Sequence, residues 1–244
     1  MTDEAPPHPN DMPEAELARA FSDAHRPDLL RELVATSRGA FGFFTQHFAH
    51  TINYTWLLER LEALPAESRV LEVGAGVSPV PLVLARRGVH VDCIDGSSTI
   101  RRLPVGPKWN EWGYFDYAVL DPRIGSFNCL CRDFEPTALY DRIYSVSVLA
   151  HMSSAERNEA LGLMCSWLRK GGRMLHAVDV IPTSDFLWNR SRGREIETPE
   201  AHGLVSDLVD RLNGLGLRMT ERSVLRGVHN SRTDLLFVEA VLPR

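Results

Sequence analysis

A short apolar run that ends in two glycines is the first part of this sequence that could hold a ligand. Residues 70–73 form the run, and Gly74 and Gly76 follow it directly before a second apolar stretch. Glycine allows close backbone approach and unusual torsions, so a ligand can sit against the main chain where a strand turns into a helix. An isolated G-x-G is weak evidence because turns also use glycine for steric reasons. Its place between a strand and a helix favours a nucleotide-like ligand.

An acidic residue follows at the distance that ribose recognition requires. A second strand-like segment, residues 89–94, leads into Asp95, about twenty residues beyond the glycine turn. A carboxylate at this place can accept hydrogen bonds from a ribose diol. The alternative is an N-cap for a helix next to Gly96 and Ser97, because a short acid also satisfies free backbone N–H groups.

The segments that must position these residues alternate between strand-like and helix-like patterns. This alternation predicts an α/β fold with a doubly wound, mostly parallel sheet covered by helices on both faces. Ser153 and Glu156 form a capping-box pattern at the start of one helix, and Gly171 and Gly172 are predicted to end it. The predicted strands are 69–73, 90–94, 128–132, 142–146 and 173–178, and the predicted helices are 79–87, 155–168 and 204–212.

Both ends of the chain carry additions to this core. Residues 1–13 are rich in Pro, Asp and Glu, which predicts a disordered tail. Two final strands, 218–224 and 235–241, are predicted to pair across a polar turn around Asn230 and Ser231. The predicted domains are the tail at 1–13, an N-terminal cap of two or three helices at 14–66, and an α/β domain at 67–244 with an aromatic insertion near 100–127.

Composition excludes several classes of function. The chain has 244 residues, a net charge of -5 and a pI near 6.0, so it lacks the positive field that attracts nucleic acid or an anionic membrane. The longest apolar runs are too short to cross a bilayer and the N-terminus has no secretory pattern, which predicts a cytoplasmic protein. The four cysteines lack zinc-type spacing, so no metal site is predicted.

Five successive segments resemble, in order and spacing, the motifs of class I methyltransferases that depend on S-adenosylmethionine (SAM). They are VLEVGAG at 70–76, VDCID at 91–95, the Arg132-Asp133-Phe134 step, DRIYSVSVLAHM at 141–152 and LRKGGRMLHAVDV at 168–180. The resemblance covers roughly residues 69–180, and the conjunction is far more specific than any one motif. It implies SAM as cofactor, S-adenosylhomocysteine as product, and a seven-stranded sheet whose last strand is antiparallel.

The resemblance also implies where SAM is held. Its methionine end would be surrounded by Glu72, Gly74, Ala75 and Gly76, and Ser147 would lie beneath the sulfonium.

The nucleoside end of SAM is assigned in the same way. Asp95, beside Gly96, would hold the ribose hydroxyls. Asp133 would accept a hydrogen bond from the adenine amino group, and the Phe134 backbone would bind a ring nitrogen.

The sequence departs from the family pattern at two positions. Ser78 stands where many members carry a third glycine, which is widely tolerated, and Ala150 stands where many carry Glu before the histidine. The second departure weakens any catalytic role borrowed from an acid at that place. An NAD-dependent dehydrogenase is disfavoured, because Pro79 follows Ser78 and the fuller G-x-G-x-x-G turn is absent.

Methyl transfer requires alignment of the acceptor and removal of a proton where the acceptor carries one. The predicted catalytic residues are His151 and Asp179, which follow the fourth and fifth strands, because the carboxyl ends of parallel strands face the ligand crevice. Packing remains an alternative role for His151, and a solvated loop remains one for Asp179.

Aromatic residues are the candidates for contacting the acceptor. The segment 108–117 is unusually aromatic for a crossover and could form a lid, although a surface insertion held by its own rings has similar composition. The N-terminal helices could contribute His47 and His50 to the same pocket. The predicted acceptor-binding aromatic residues are Tyr54, Trp109, Trp112 and Tyr114.

A loop with three arginines follows the fifth strand. Arg190 and Arg192 could bind a carboxylate or phosphate of the acceptor, but a solvated charged loop is the commoner explanation for such a segment. The prediction of an anionic acceptor therefore depends on these two residues.

The leading hypothesis is a methyltransferase that modifies an oxygen or nitrogen of a small molecule, such as a specialised metabolite. The alternatives are a protein or nucleic-acid methyltransferase and a SAM-binding scaffold without turnover. The fourth strand ends in Ser145-Val146-Ser147-Val148 and lacks the Asn/Asp-Pro-Pro-Tyr-like step of enzymes that methylate amino groups of bases and glutamine. A homodimer through the N-terminal helices or the insertion stays open.

Overall fold

Three helices precede the first strand. The computed structural model describes residues 8–106, 111–187, 202–228 and 233–244, together with the backbone of 190–191 and 194–195. The first helices are α1 (Glu14–Asp23), α2 (Pro27–Phe41) and α3 (Phe48–Leu61). Pro27 begins α2 at a position where its missing N–H costs nothing, and Gly42 ends it in a left-handed conformation.

The remaining elements form a sheet with helices on both faces. The later helices are α4 (Val80–Arg86), α5 (Ser154–Trp167) and α6 (Val205–Gly214). The strands are β1 (Arg69–Val73), β2 (His90–Ile94), β3 (Ile100–Arg101), β4 (Tyr114–Phe115), β5 (Ile124–Phe127), β6 (Tyr140–Val146), β7 (Leu168–Val180), β8 (Arg190–Ser191), β9 (Arg194–Glu195), β10 (Arg218–Gly227) and β11 (Thr233–Val241).

Seven strands make the main sheet, in the order β10-β11-β7-β6-β1-β2-β5. Strands β5, β2, β1, β6 and β7 run parallel, and β11 is antiparallel to both β7 and β10. The predicted mostly parallel, seven-stranded sheet with an antiparallel last strand is confirmed. The turn predicted around Asn230 and Ser231 lies outside the described residues.

The two faces of the sheet bury different apolar clusters. Val70 packs in the cluster that contains the N-terminal helices and α4, whereas Leu71 and Val73 pack in the cluster that contains α5 and α6. Successive side chains of a strand point to opposite faces. Glu72 therefore shares the face of Val70, towards the N-terminal helices, at the carboxyl end of β1.

The third strand lies earlier in the chain than predicted. Residues 124–127 pair with β2, from Val91↔Ile124 to Ile94↔Phe127, and Cys131–Asp133 form a 3-10 helix. The prediction of a strand at 128–132 was therefore wrong. The apolar residues that suggested it, among them Leu130, belong to a loop at the end of the strand that lines a cavity.

The predicted capping box at the start of α5 is confirmed, whereas the prediction of how the helix ends is wrong. Ser153 and Glu156 hydrogen-bond reciprocally, as predicted. The glycines do not end the helix: Leu168 is already extended, and β7 begins there. Gly171 and Gly172 instead bond the backbone of Leu242 at 2.8 and 2.9 Å, with Gly171 at a φ of 79°. They lie within β7, where its register with β6 shifts, and they pair with the residue that follows β11.

The prediction of a disordered tail through residue 13 was wrong for residues 8–13. Met12 and Asn10 are buried, and the Asn10 side chain donates to the Gly106 carbonyl at 2.9 Å. The Met12 amide donates to the Phe44 carbonyl at 2.9 Å. Residues 1–7 lie outside the described part, and the division into a cap at 14–66 and a domain at 67–244 stays a prediction. Among the described helices, none has the length and apolar character needed to cross a bilayer.

Candidate functional site

A cavity of about 630 Å³ opens at the carboxyl ends of β1, β2 and β6. Its described walls are α3, the glycine turn after β1, the segment 111–113, the loop 129–131 and the residues that follow β6. Crevices at the carboxyl ends of parallel strands are the usual ligand sites of such sheets, and this volume is within the range of small-molecule pockets. The predicted site residues that line it are Glu72, Gly74, Ala75, Gly76, Asp95, Gly96, Ser147, His151, Tyr54 and Trp112.

The glycine turn is shaped by protein contacts as well as by space for a ligand. Gly74 and Gly76 have φ values of 73° and 51°, which favour glycine. A Cβ on Gly74 would overlap the side chain of Val148, and one on Gly76 would overlap the carbonyl oxygen of Glu111. That carbonyl accepts a hydrogen bond from Val77 at 3.0 Å, so the turn and the segment 111–113 are packed together.

The hydroxyl group of Tyr117 holds the backbone of the same glycine turn in place. Its hydroxyl is buried, accepts from the Ser78 amide at 2.5 Å, and lies 3.2 Å from the Gly76 carbonyl and 3.0 Å from the Ser78 carbonyl. Sequence reasoning placed Tyr117 in the aromatic insertion but assigned it no role in the site. Nothing in the sequence distinguishes Tyr117 from the other aromatic residues of this segment.

Asp95 joins the end of β2 to the glycine turn. One carboxylate oxygen accepts from the Gly76 amide at 2.9 Å, and the other accepts from the Ser97 amide at 2.8 Å. An ionised carboxylate has about four acceptor positions, so these bonds leave capacity for a diol. Asp95 therefore shapes the turn and lines the cavity. No helix begins in the described segment 96–106 that follows it, so the N-cap interpretation was wrong, and the contact with the ribose stays a prediction.

Glu72 is buried and points from β1 into the cavity wall. The Tyr144 hydroxyl donates to its carboxyl group at 2.8 Å across the β1–β6 register. Burial raises the pKa of Glu72 to about 8, although hydrogen bonds from Tyr144 and Ser78 act in the opposite direction. Without a cation nearby, this carboxyl group is therefore mostly protonated at neutral pH.

The cavity is suited to a cationic ligand. Glu72, Asp95 and Glu111 line it, and the described lining contains no lysine or arginine. SAM carries an ammonium and a sulfonium group, and both are favoured by carboxylates in a partly buried site. A dinucleotide would instead bring a pyrophosphate, which this lining would repel. The residues present therefore fit SAM.

Two predicted nucleoside contacts lie elsewhere. Asp133 is exposed and outside the cavity lining, and the Phe134 amide donates to the Cys131 carbonyl at 3.2 Å within the 3-10 turn. The Phe134 ring packs between Phe127 and Trp167. Because the chain turns earlier than predicted after β5, Cys129, Leu130 and Cys131 form the wall of the cavity on this side.

The two predicted catalytic residues occupy different places. His151 lines the cavity, and its ring contacts the ring of Trp112 edge to face with centroids 5.1 Å apart. Asp179 is buried within β7, where it pairs in register with Leu235, and does not line the cavity. Ser147 lines the cavity with a strained φ of 55°, and its place beneath the sulfonium stays a prediction.

The predicted acceptor residues are divided by the fold. Tyr54 and Trp112 line the cavity, whereas Tyr114 does not and donates to the Ser126 carbonyl at 3.3 Å. Tyr114 therefore supports the insertion from outside the cavity. Trp109 and Arg192 lie outside the described residues, and of Arg190 the structure describes the backbone in β8.

A buried histidine–carboxylate pair in the cavity was not predicted. His50 Nδ1 lies 3.0 Å from a carboxylate oxygen of Glu111, and the exposed His47 is 3.8 Å from the same oxygen. The His50 ring also packs on Tyr54 at 4.9 Å. The sequence analysis assigned His50 to the acceptor pocket. It assigned no role to Glu111, because this residue is distant from His50 in the chain and belongs to no recognisable motif.

Comparison with known proteins identifies the family. The family described as "Methyltransferase domain" matches residues 46–219. An uncharacterized methyltransferase of Staphylococcus carnosus (strain TM300) is 28% identical over 178 residues, which cover 69% of this chain and 78% of the relative. An S-adenosyl-L-methionine-dependent Diels–Alderase of Talaromyces variabilis is 33% identical over 155 residues, which cover 53% of this chain and 47% of that protein. The chain thus spans about half of that second relative.

Solved structures share the fold. The 1,6-didemethyltoxoflavin-N1-methyltransferase of Burkholderia thailandensis, solved with 1,6-didemethyltoxoflavin and S-adenosylhomocysteine, aligns with a TM-score of 0.56 at 16% identity over 100% of this chain and 93% of that one. Phosphoethanolamine N-methyltransferase 2 of Haemonchus contortus, solved with SAM, aligns with a TM-score of 0.57 at 14% identity over 93% and 60%. From the family match, the sheet topology and the cavity together, this chain belongs to the class I SAM-dependent methyltransferases and uses SAM as its cofactor.

Proposed function

We propose that this enzyme transfers the methyl group of SAM to a nitrogen or oxygen atom of a small molecule. The observation that carries the proposal is that the cofactor residues and the aromatic side chains of Tyr54 and Trp112 line one cavity. A cavity of this size takes a cofactor and a small acceptor together, whereas a macromolecular acceptor needs an exposed surface near the reacting atoms.

The cofactor residues divide into a backbone cradle and an acidic wall. The turn around Gly74 and Gly76 would hold the methionine end of SAM beside Glu72, and Asp95 would accept the ribose hydroxyls. When bound, SAM supplies an electrophilic methyl group on its sulfonium. The protein supplies alignment and a wall that favours positive charge.

The charge of the described lining favours a neutral or cationic acceptor. Asp95 and Glu111 would repel an anion, and the described lining contains no lysine or arginine to attract one. The anionic acceptor predicted from Arg190 and Arg192 has no support within the described side chains. The cytoplasmic location, the homodimer and the absence of nucleic-acid partners stay predictions.

A second candidate function comes from a relative. The Talaromyces variabilis protein is named as a SAM-dependent Diels–Alderase, and a Diels–Alder cycloaddition transfers no methyl group. For this chain, the second candidate is therefore a reaction in which SAM is bound and not consumed. A SAM-binding scaffold would also leave the cofactor intact, but without product.

The test measures binding and consumption of SAM separately. Purified protein is titrated calorimetrically with SAM and S-adenosylhomocysteine. It is then incubated with methyl-labelled SAM and, in separate assays, with a panel of phenols, amines and hydroxylated heteroaromatic compounds, with a polyene that contains a diene and a dienophile, and with protein and nucleic-acid mixtures. Release of S-adenosylhomocysteine with label in one acceptor supports methyl transfer. SAM binding with a changed acceptor but intact SAM indicates the cycloaddition class. Binding with neither change indicates a scaffold, and label in a protein or nucleic acid indicates a macromolecular acceptor.

A further inference from the structure

Two residues from distant parts of the chain meet at one wall of the cavity. His50 lies in the first turn of α3, and Glu111 lies beside the glycine turn, with its carbonyl bonded to Val77. Both residues line the cavity, and both are buried: His50 is 9% exposed and Glu111 is 7% exposed. Because Glu111 is held against the glycine turn, the position of this carboxylate is tied to that of the cofactor cradle.

The contact orients the imidazole ring. Glu111 approaches Nδ1 of His50 at 3.0 Å, and the Thr45 hydroxyl lies 3.3 Å from the same nitrogen. The two groups are within ion-pair distance, although the Glu111 oxygen is not aligned for a hydrogen bond. A carboxylate beside Nδ1 favours the tautomer that is protonated there, which leaves Nε2 as the unprotonated nitrogen of the neutral ring. Among the described residues, Nε2 has no hydrogen-bond partner, so it is available to a ligand.

The surroundings also favour a positive charge on this ring. Burial by itself lowers the pKa of His50, but the carboxylates of Glu111 and, at longer range, Asp179 outweigh it and raise the pKa. The other titratable groups that face the ring are His47, at the start of the same helix, and Tyr54, one turn further along. The pKa of Glu111 is lowered, mainly because His50 outweighs the effect of burial.

We infer that His50 removes the proton that the methyl acceptor loses, and that Glu111 is the positioning residue that holds the ring for this step. This inference rests on the proposed function and adds that the acceptor carries an N–H or O–H at the methylated atom. The lone pair of that atom forms the bond to the methyl carbon as the carbon–sulfur bond breaks, and the electrons of that bond remain on sulfur. The acceptor proton passes to Nε2 of His50, and the resulting imidazolium faces Glu111 until it returns the proton to water.

The arrangement gives each residue a separate task. A carboxylate behind an imidazole fixes its tautomer and stabilises its protonated form, as in other carboxylate–histidine pairs. Removal of a base of this kind typically costs about 100-fold or more in rate. An acceptor without a proton at the methylated atom would gain nothing from His50.

The test compares variants of the full-length protein in a labelled-SAM assay. The probes are phenols and primary aromatic amines, with N,N-dimethylaniline as an acceptor that has no proton to lose. We expect His50→Gln to lower kcat by about 100-fold or more on the proton-bearing probes while SAM binding is retained, and to lower the rate on N,N-dimethylaniline far less. His25→Gln, in an exposed loop, is the matched control with wild-type rates.

The pH profile separates positioning from a structural role. In the wild type, kcat/KM should rise with pH as His50 loses its proton. Glu111→Gln removes the negative charge beside the His50 ring. The inflection in kcat/KM should therefore move to lower pH, and the plateau of kcat/KM at high pH should fall. NMR titration of the His50 imidazole, assigned by the signal that His50→Gln lacks, should show the same decrease in pKa without any acceptor.

Each outcome is decisive for one of the two claims. If His50→Gln retains the wild-type rate and pH profile, or if His151→Gln moves the inflection and His50→Gln does not, the inference is wrong. If Glu111→Gln leaves the imidazole pKa unchanged, the positioning role is wrong. If the wild type binds SAM but methylates no acceptor, the proposed function fails, and the NMR titration still decides whether Glu111 acts on His50.

Discussion

The carbonyl oxygen of Glu111 occupies the space where any residue other than glycine at position 76 would place its Cβ. The glycine turn after β1 and the insertion between β2 and β5 are therefore fitted to each other. Since the Glu111 side chain contacts His50, we expect a change at Gly76 to shift this histidine–carboxylate pair at the cavity wall. Under the proposed function, the glycine turn would then affect the acceptor as well as SAM.

Gly76→Ala should disrupt both sites. The new methyl group meets backbone and the φ of 51° disfavours alanine, so we expect a loss of about 1–3 kcal/mol in the free energy of unfolding and a weaker affinity for SAM. Chemical denaturation and calorimetry measure the two effects. Gly39→Ala is the matched control, because Gly39 lies in α2 with open space around its Cβ position, and alanine there should stabilise by about 0.5–1 kcal/mol. Equal SAM affinity of the wild type and Gly76→Ala would contradict the coupling.

Asp95→Ala should weaken SAM binding by about 10- to 100-fold. The variant loses a carboxylate that faces the cavity and also the bond that holds the Gly76 amide, and hydrogen bonds to charged groups contribute about 1.5–3 kcal/mol. Calorimetric titration with SAM gives the dissociation constants. Asp210→Ala, an exposed acid on α6, should bind as the wild type does. An unchanged affinity for SAM in Asp95→Ala would rule out its predicted role at the ribose.

SAM binding should release a proton near neutral pH. The pKa of Glu72 is about 8 in the free protein, so the group is mostly protonated at pH 7, and a bound cation favours its ionised form. Affinity should therefore increase from pH 6 to pH 8, by at most about tenfold per unit. Calorimetry in two buffers of different ionisation enthalpy counts the proton. In Glu72→Gln the buffer dependence should disappear, and its persistence there would assign the proton to another group.

The same carboxyl group should make stability depend on pH. Because the folded pKa of Glu72, about 8, lies above its ordinary value of 4.5, its contribution to stability is fully present below about pH 4.5 and is lost as the pH rises through 8. Glu72→Gln should therefore gain stability relative to the wild type as the pH is raised from 5 to 8. Thermal unfolding of both proteins across this range measures the difference, and parallel curves would show that Glu72 titrates normally.

Tyr117→Phe should loosen the glycine turn. The buried Ser78 amide would lose its partner, which costs about 1–3 kcal/mol in the free energy of unfolding, and SAM affinity should fall with it. Tyr114→Phe removes the longer, partly exposed bond to Ser126 and should change the free energy of unfolding by less. Denaturation curves of the two variants make the comparison. A larger effect of Tyr114→Phe would show that the turn does not depend on Tyr117.

Local sequence was sufficient where one segment carries a whole feature. The apolar run of β1, the turn at Gly74 and Gly76, and the acid after β2 are contiguous, so their order predicted strand, turn and ribose-type acid. The structure brings Asp95 within 2.9 Å of the Gly76 amide, in agreement with that order. The alternation of strands and helices likewise predicted a mostly parallel sheet covered on both faces. Its seven strands and antiparallel last strand were implied by the resemblance to class I methyltransferases.

Prediction failed where an apolar pattern has two physical causes. The residues around Leu130 were interpreted as a strand, but they are apolar because they line a cavity, and the strand lies at Ile124–Phe127. Because of this error, the nucleoside contacts were predicted at Asp133 and Phe134, which are outside the cavity lining. Hydrophobic periodicity reports burial, and burial against a neighbouring strand and burial against a ligand cavity have the same composition over four or five residues.

The sequence by itself determined the fold class, the family and the glycine turn with the acid that lines the same cavity, because those depend on residues near one another in the chain. Only the tertiary structure decided that Glu111 lies against Gly76 and meets His50, and that Tyr117 holds Ser78. These contacts join α3, the glycine turn and the insertion across 35 to 61 positions. Side chains so far apart in sequence meet only when the sheet has formed and its helices have packed, so no local pattern records them.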